Sequence, residues 1–185
     1  MTNADDIVGR LEAALPGIRD WIDQYVRDHA EEARAVGTCG FKRLPAYFPA
    51  SFLQQAKVVS VSRVPFPPVD RYELPELAPL QQRSFAGITF KDTYFIQTGE
   101  ASESLHFHEL VHVAQWKVLG VDNFLRAYGA GLVMYGYEDS PLEKMAYSLQ
   151  REFDEGRQHQ DLLATIEART QAIWTQVAPV FGLKS

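Results

Sequence analysis

Apolar positions recur along most of this chain with the spacing of helices, and only a short central part alternates like strands. Asp5 to Leu15 reads as a short amphipathic helix. Pro16 suits the first turn of a second helix. There Ile18, Trp21, Ile22 and Tyr25 fall at i, i+3, i+4 and i+7. The stripe fades in the charged run Arg27 to Arg34, a solvated face, and Gly37 is the expected stop. Leu44 to Pro49 reads as a loop, and Ser51 to Ala56 as a short helix. Lys57 to Val64 is valine-rich and partly alternating, which predicts a strand. A loop rich in proline and acid, Pro65 to Pro79, is expected to drape over the surface as a rim or lid. Gly87–Phe90 and Thr93–Gln97 flank Lys91-Asp92, a tight hairpin without the usual glycine.

From Leu105 the pattern changes. In LHFHELVHVAQWKVL, Leu105, Trp116 and Leu119 share one face with two histidines, while Phe107, Val111, Ala114 and Val118 cover the other. A helix apolar nearly all round is a buried helix. Ser102 or Ser104 is its cap and Gly120 its end, with a further helix from Asp122 to about Met134. Ser140, Pro141 and Glu143 then form a capping-box sequence at the start of another helix. The last helix runs from about Asp161 to Val177.

The buried helix carries the chemistry. His108 and His112 are spaced i, i+4, so both imidazoles project from one face and can grip a single ion. Glu109 sits about 100° round the helix, within reach of a water on that ion. This is the H-E-x-x-H arrangement of two zinc ligands and a general base. Burying these groups costs several kcal/mol unless partners or a metal compensate. Catalytic zinc takes three protein ligands and keeps one position open. Cys39 is the only cysteine, and no third histidine follows close to the motif, so the third ligand is expected to be a carboxylate. Glu143 is the first candidate, against a reading in which it only closes the capping box with Ser140. Glu138 and Asp139 are the alternatives, His159 a distant one, and His106 is assigned a structural or supporting role.

Length and composition narrow the setting. The 185 residues suit one domain over 1–185, with an N-terminal helical segment 1–37, a catalytic core 57–155 and a C-terminal helix 156–185. Such a chain can bury roughly 70% of its unfolded surface. A net charge of −6 argues against nucleic acid as main partner, because phosphate binding needs a basic face. No apolar run approaches the ~20 residues of a membrane span. The acidic start MTNADDIVGR lacks an apolar signal segment, and a lone cysteine suits a reducing compartment. A cytoplasmic location is therefore expected.

HELVHVAQW followed by GYEDSPLEKMAY resembles the minimal gluzincin-type metallopeptidase domains. In particular it is similar to uncharacterised bacterial families with an H-E-L-x-H-x-x-Q helix and a later P-x-E-x-x-A-type helix. The resemblance covers about Gly87 to Phe153. It implies an α+β, mostly helical zincin-like domain with a small twisted sheet packed on the motif helix. It further implies His108, His112 and Glu143 as Zn2+ ligands and Glu109 as base, with a peptide or protein as substrate. Two features depart from the pattern. Thirty residues lie between His112 and Glu143, and Tyr147 stands where those enzymes often have a carboxylate supporting the metal. Tyr137 or Tyr147 is the candidate donor to the oxyanion, and Gly87–Phe90 or Thr93–Gln97 the candidate substrate edge. A zincin-like binding module without catalysis, or a hydrolase of non-peptide amides or esters, would carry the same constellation.

Overall fold

The structure, a computed structural model, describes residues 4–100 and 102–184. It is an α+β fold in which helices surround a small mixed sheet. The helices are α1 (Ala4–Asp28), α2 (Ala50–Gln55), α3 (Ala78–Gln82), α4 (Glu103–Tyr135), α5 (Pro141–Asp154) and α6 (Leu162–Val177). The strands are β1 (Arg34–Ala35), β2 (Lys57–Val61), β3 (Gly87–Phe90) and β4 (Thr93–Gln97), in the order β1-β2-β4-β3. Only the β2–β4 pair is parallel. Tyr94, Phe95 and Ile96 are all buried, as a central strand covered on both faces requires. β3 is one edge of the sheet, and α4 packs beside it.

The N-terminal segment differs from expectation. Pro16 does not open a second helix; it lies inside a single helix, α1. A proline there forgoes one backbone bond. The apolar residues on either side, Leu11, Ala14, Ile18 and Ile22, all enter the common core and hold the helix together. α1 stops at Asp28, short of Gly37, because the following charged run offers no apolar face to pack. His29 Nδ1 donates to Tyr25 O at 2.9 Å, and the chain turns into β1, paired with Lys57 and Val58.

The hairpin forms as expected. Lys91 itself takes the left-handed conformation, at φ 60°, and its ammonium donates to Asp23 on α1. The proline-rich stretch is more than a surface loop. It contains 3-10 turns at Val69–Tyr72 and Pro75–Leu77 before α3. Its Val69, Leu74 and Leu77 are buried in the core. It forms a strap tied to α1: Arg10 grips Glu76 at 2.6 and 3.0 Å and donates to Glu73 O at 2.7 Å, and Tyr72 Oη donates to Gly17 O at 2.9 Å.

α4 is capped by Ser102, whose Oγ accepts from Leu105 N at 3.2 Å. Every residue from His106 to Trp116 is buried. The helix is broken at Gly120, whose φ of 71° and ψ of 175° lie far from helical values. The stretch after it, through Tyr135, is therefore redirected, and this brings Tyr128 back over the histidine face. No helix among the described residues is long and apolar enough to cross a membrane.

Because Gly120 occupies a region essentially closed to other residues, Gly120→Ala is expected to lower stability by about 1–3 kcal/mol. Denaturant titration of the two proteins measures it, and equal midpoints would mean that the break costs nothing.

Candidate metal centre

His108 and His112 project from one face of α4 toward α5, and Glu143, in the first turn of α5, meets them. All three side chains are buried. His108 Nε2 and His112 Nε2 are 3.1 Å apart. Glu143 Oε2 lies 3.4 Å from His108 Nε2, and Oε1 lies 3.4 Å from His112 Nε2. A tetrahedral ion bound at about 2.0–2.1 Å sets its donors about 3.3 Å apart. The histidine nitrogens and the nearer carboxylate oxygen facing each of them lie close to that figure, so the three residues form a group that could hold a metal ion.

The hydrogen bonds behind the histidines point to the same conclusion. His112 Nδ1 donates to Gln115 Oε1 at 2.8 Å, and Gln115 Nε2 donates in turn to Leu142 O at 3.0 Å. His108 Nδ1 donates to Gln150 Oε1 at 3.0 Å, and Gln150 Nε2 donates to Ser104 Oγ at 2.9 Å. Each glutamine is oriented by its other end, so both Nδ1 atoms carry hydrogen. In the neutral rings both Nε2 lone pairs then face each other and the Glu143 carboxylate. Such outer partners fix tautomer and ring orientation in metal sites. A cation must sit among three such groups, and without a metal that cation is a proton. Burial disfavours charge on His112, but Glu143 outweighs it and pushes the imidazole up to about 9. Burial likewise opposes the Glu143 anion, and the two histidines override it, so this carboxyl lies well below the usual range.

The capping-box reading of Glu143 fails. Ser140 is the N-cap residue, yet its hydroxyl makes no cap bond and has no partner. Glu143 turns into the interior, where Oε1 accepts from Tyr128 Oη at 2.6 Å and Oε2 has no hydrogen-bond donor. The alternative ligands lie elsewhere. Glu138, 77% exposed, pairs with Arg83, and Asp139, 67% exposed, pairs with Lys144. His159 pairs with Glu152. His106 accepts from Tyr94 Oη at 2.6 Å, and burial brings it down to about 4, so it stays neutral.

Glu109 is buried against β3. Its Oε2 accepts from Thr89 Oγ1 at 2.7 Å, and its Oε1 lies against Gly87, where a Cβ would overlap it. Burial pushes this carboxyl up, opposed by His108 and His112. Trp116 Nε1 donates to Thr89 O at 3.1 Å and pins the strand to α4. The Tyr147 ring lies 4.6 Å from that of His108, and Tyr137 borders the same cleft as His108 and Glu109. Burial raises both phenols, which keeps them protonated as donors.

Tyr128 and Gln150 escaped the sequence reading, as did the contacts of Thr89 and Gly87 with Glu109, although Gly87–Phe90 was a candidate substrate edge. Gln150 had a legible signal, since it stands two helical turns after Glu143. Tyr128 had none, because it arrives only through the break at Gly120. Compared with protein-family models, with curated proteins and with solved structures, the chain matches none of them.

Two outcomes are expected. Glu143→Gln should lose most of its zinc affinity by isothermal titration, while Glu138→Gln and Asp139→Asn keep the parent value; parent affinity in Glu143→Gln would remove it from the coordination set. Zinc must also displace the His112 proton. Titration at neutral pH in buffers of different ionisation enthalpy should count about one proton released. Affinity should climb as pH rises toward 9. With its folded pKa above the ordinary 6.5, the His112 pairing stabilises the metal-free protein below about pH 6.5 and is lost as pH rises through about 9. Zinc binding without proton release would mean that His112 is already neutral.

Proposed function

We propose that the chain is a zinc-dependent hydrolase, in particular a gluzincin-like metallopeptidase working in the cytoplasm. The observation that carries the reading is the convergence of two imidazoles and a carboxylate in the interior with the Glu109 carboxylate on the same space. A site that only held a metal for stability would need no base there.

His108, His112 and Glu143 would hold the ion, with Gln115 and Gln150 keeping the imidazole lone pairs directed at it. When bound, zinc supplies Lewis acidity, polarising a carbonyl and lowering the pKa of water from 15.7 to about 7. Glu109 is suited to take a proton from water and return it to the leaving amine. Its Oε2 is held by Thr89, which leaves Oε1 as the atom that exchanges the proton. Tyr137 and Tyr147 border the open side of the site and are the candidate phenol donors to the developing oxyanion.

The sheet edge beside Glu109 suits an extended substrate. Gln97 N donates to Ala86 O at 2.8 Å, so by the alternation of an antiparallel ladder the amide groups of Gly87 and Thr89 face away from β4. Trp116 takes the Thr89 carbonyl, which leaves Gly87 N–H and C=O available. β4 is paired on both sides and offers no such edge.

Glu109→Gln should retain zinc and fold while hydrolysis of an unbiased peptide library falls by about 10²–10⁴. A chelator should abolish the parent activity. Cleavage at the parent rate by the zinc-loaded variant would overturn the assignment of the base.

A further inference from the structure

The candidate centre borders two different spaces. One is an open groove edged by Arg83, Tyr147 and Gln150. The other is a cavity of about 80 Å³ that runs from the same His108 and Glu109 into the interior. Its far walls are Leu11, Leu15 and Ile18 of α1, Leu74 and Leu77 of the strap, and Leu132 of α4. No lysine or arginine lines it, and its acidic and imidazole groups are those of the centre itself.

We infer that this cavity receives a branched aliphatic group of the substrate, next to the bond that is cleaved; the inference rests on the hydrolase reading above. A cavity lined by leucine, isoleucine and phenylalanine stays dry and takes apolar guests, as an engineered one of about 150 Å³ takes benzene. At about half that size, and at roughly 30 Å³ for each water-sized unit, the present one has room for about three carbons. It is therefore too small for a benzene ring and suits the branched end of a valine, leucine or isoleucine side chain. A charged side chain would find no partner at the apolar end.

One residue sets the size. Gly129 lies on the wall, buried, in the interior of a helix, where glycine is disfavoured. A Cβ there would come within 3.0 Å of Leu11 Cδ2, another residue of the cavity wall, and a larger side chain would take up space between them. Gly129 thus acts on specificity without touching the reacting atoms. The strap supplies the opposite wall and is held down by the Arg10–Glu76 pair, so the pocket has a fixed outer limit.

The test uses the zinc-loaded full chain and two hydroxamates. Isovalerohydroxamate carries three more apolar carbons than acetohydroxamate. At roughly fourfold per buried carbon it should bind about fiftyfold tighter. The hydroxamate of N,N-dimethylglycine, of the same shape but cationic, should show no gain. Gly129→Val should abolish the isovaleryl advantage and leave acetohydroxamate binding unchanged. Leu77→Ala, which enlarges the cavity, should shift the preference to a phenylacetyl tail, and it serves if Gly129→Val does not fold. Equal affinity of the two aliphatic hydroxamates for the parent protein, with acetohydroxamate bound, overturns the pocket and leaves the metal reading intact. If the protein takes up no zinc, the metal reading fails. Titration of the metal-free chain with 2-methylpropane, followed by methyl NMR, then decides the pocket: shifts at Leu11, Leu77 and Leu132 support it, and their absence overturns it.

Discussion

Three lone-pair groups held 3.1–3.4 Å apart in the interior are the constraint around which this molecule is organised. Placed together without a cation they would repel, and removing them from water adds to the cost. The surrounding structure exists to hold them there. Two glutamines fix the imidazoles, and a tyrosine takes one carboxylate oxygen of Glu143. The other oxygen faces the histidines without a hydrogen bond. A proton or a metal ion is the only species that satisfies this arrangement, and the donor separations suit the metal.

Each of the larger elements can be traced to that requirement. β3 must approach α4 closely enough for Thr89 to reach Glu109, which is why Gly87 has no side chain. The β3–β4 hairpin is anchored to α1 through Lys91 and Asp23, and α1 is tied to the strap through Arg10. At its own start, α4 is fixed by Glu103, which accepts from the backbone N–H groups of Lys42, Arg43 and Leu44. The helix that carries both histidines is thus held at its beginning, along its side and across its break.

The departure at Tyr147 has a structural counterpart. In the enzymes that the motif resembles, a carboxylate four residues after the glutamate often supports the metal. In this chain that position sets an aromatic ring, tilted by 53°, near His108, and the polar support comes from Gln150, close to one further turn along α5. Gln150 is steadied by Ser104, whose hydroxyl donates to Asp154 at 2.9 Å. Gln150 is a neutral amide, so this support brings no negative charge to the group.

By itself, local sequence determined the parts of this protein whose physics is local. The i, i+4 histidines, the apolar girdle of the buried helix, the hairpin strands and the break at Gly120 were all legible, because helical and strand periodicity and glycine's conformational freedom act over a few residues. Pro16 and the strap were misread for the complementary reason. A proline inside a helix and a proline-rich segment in the core are stabilised by packing against distant residues, which no local pattern records. Glu143 was the first candidate ligand in the sequence, but the competing capping-box reading could be set aside only in the fold. Ser140-Pro141-Leu142-Glu143 spells a capping box, and the local chemistry would have closed it. Only the tertiary structure decided otherwise, because the field of two imidazoles and the Tyr128 hydroxyl, brought from across the helix break, outweighs a single bond to a backbone N–H.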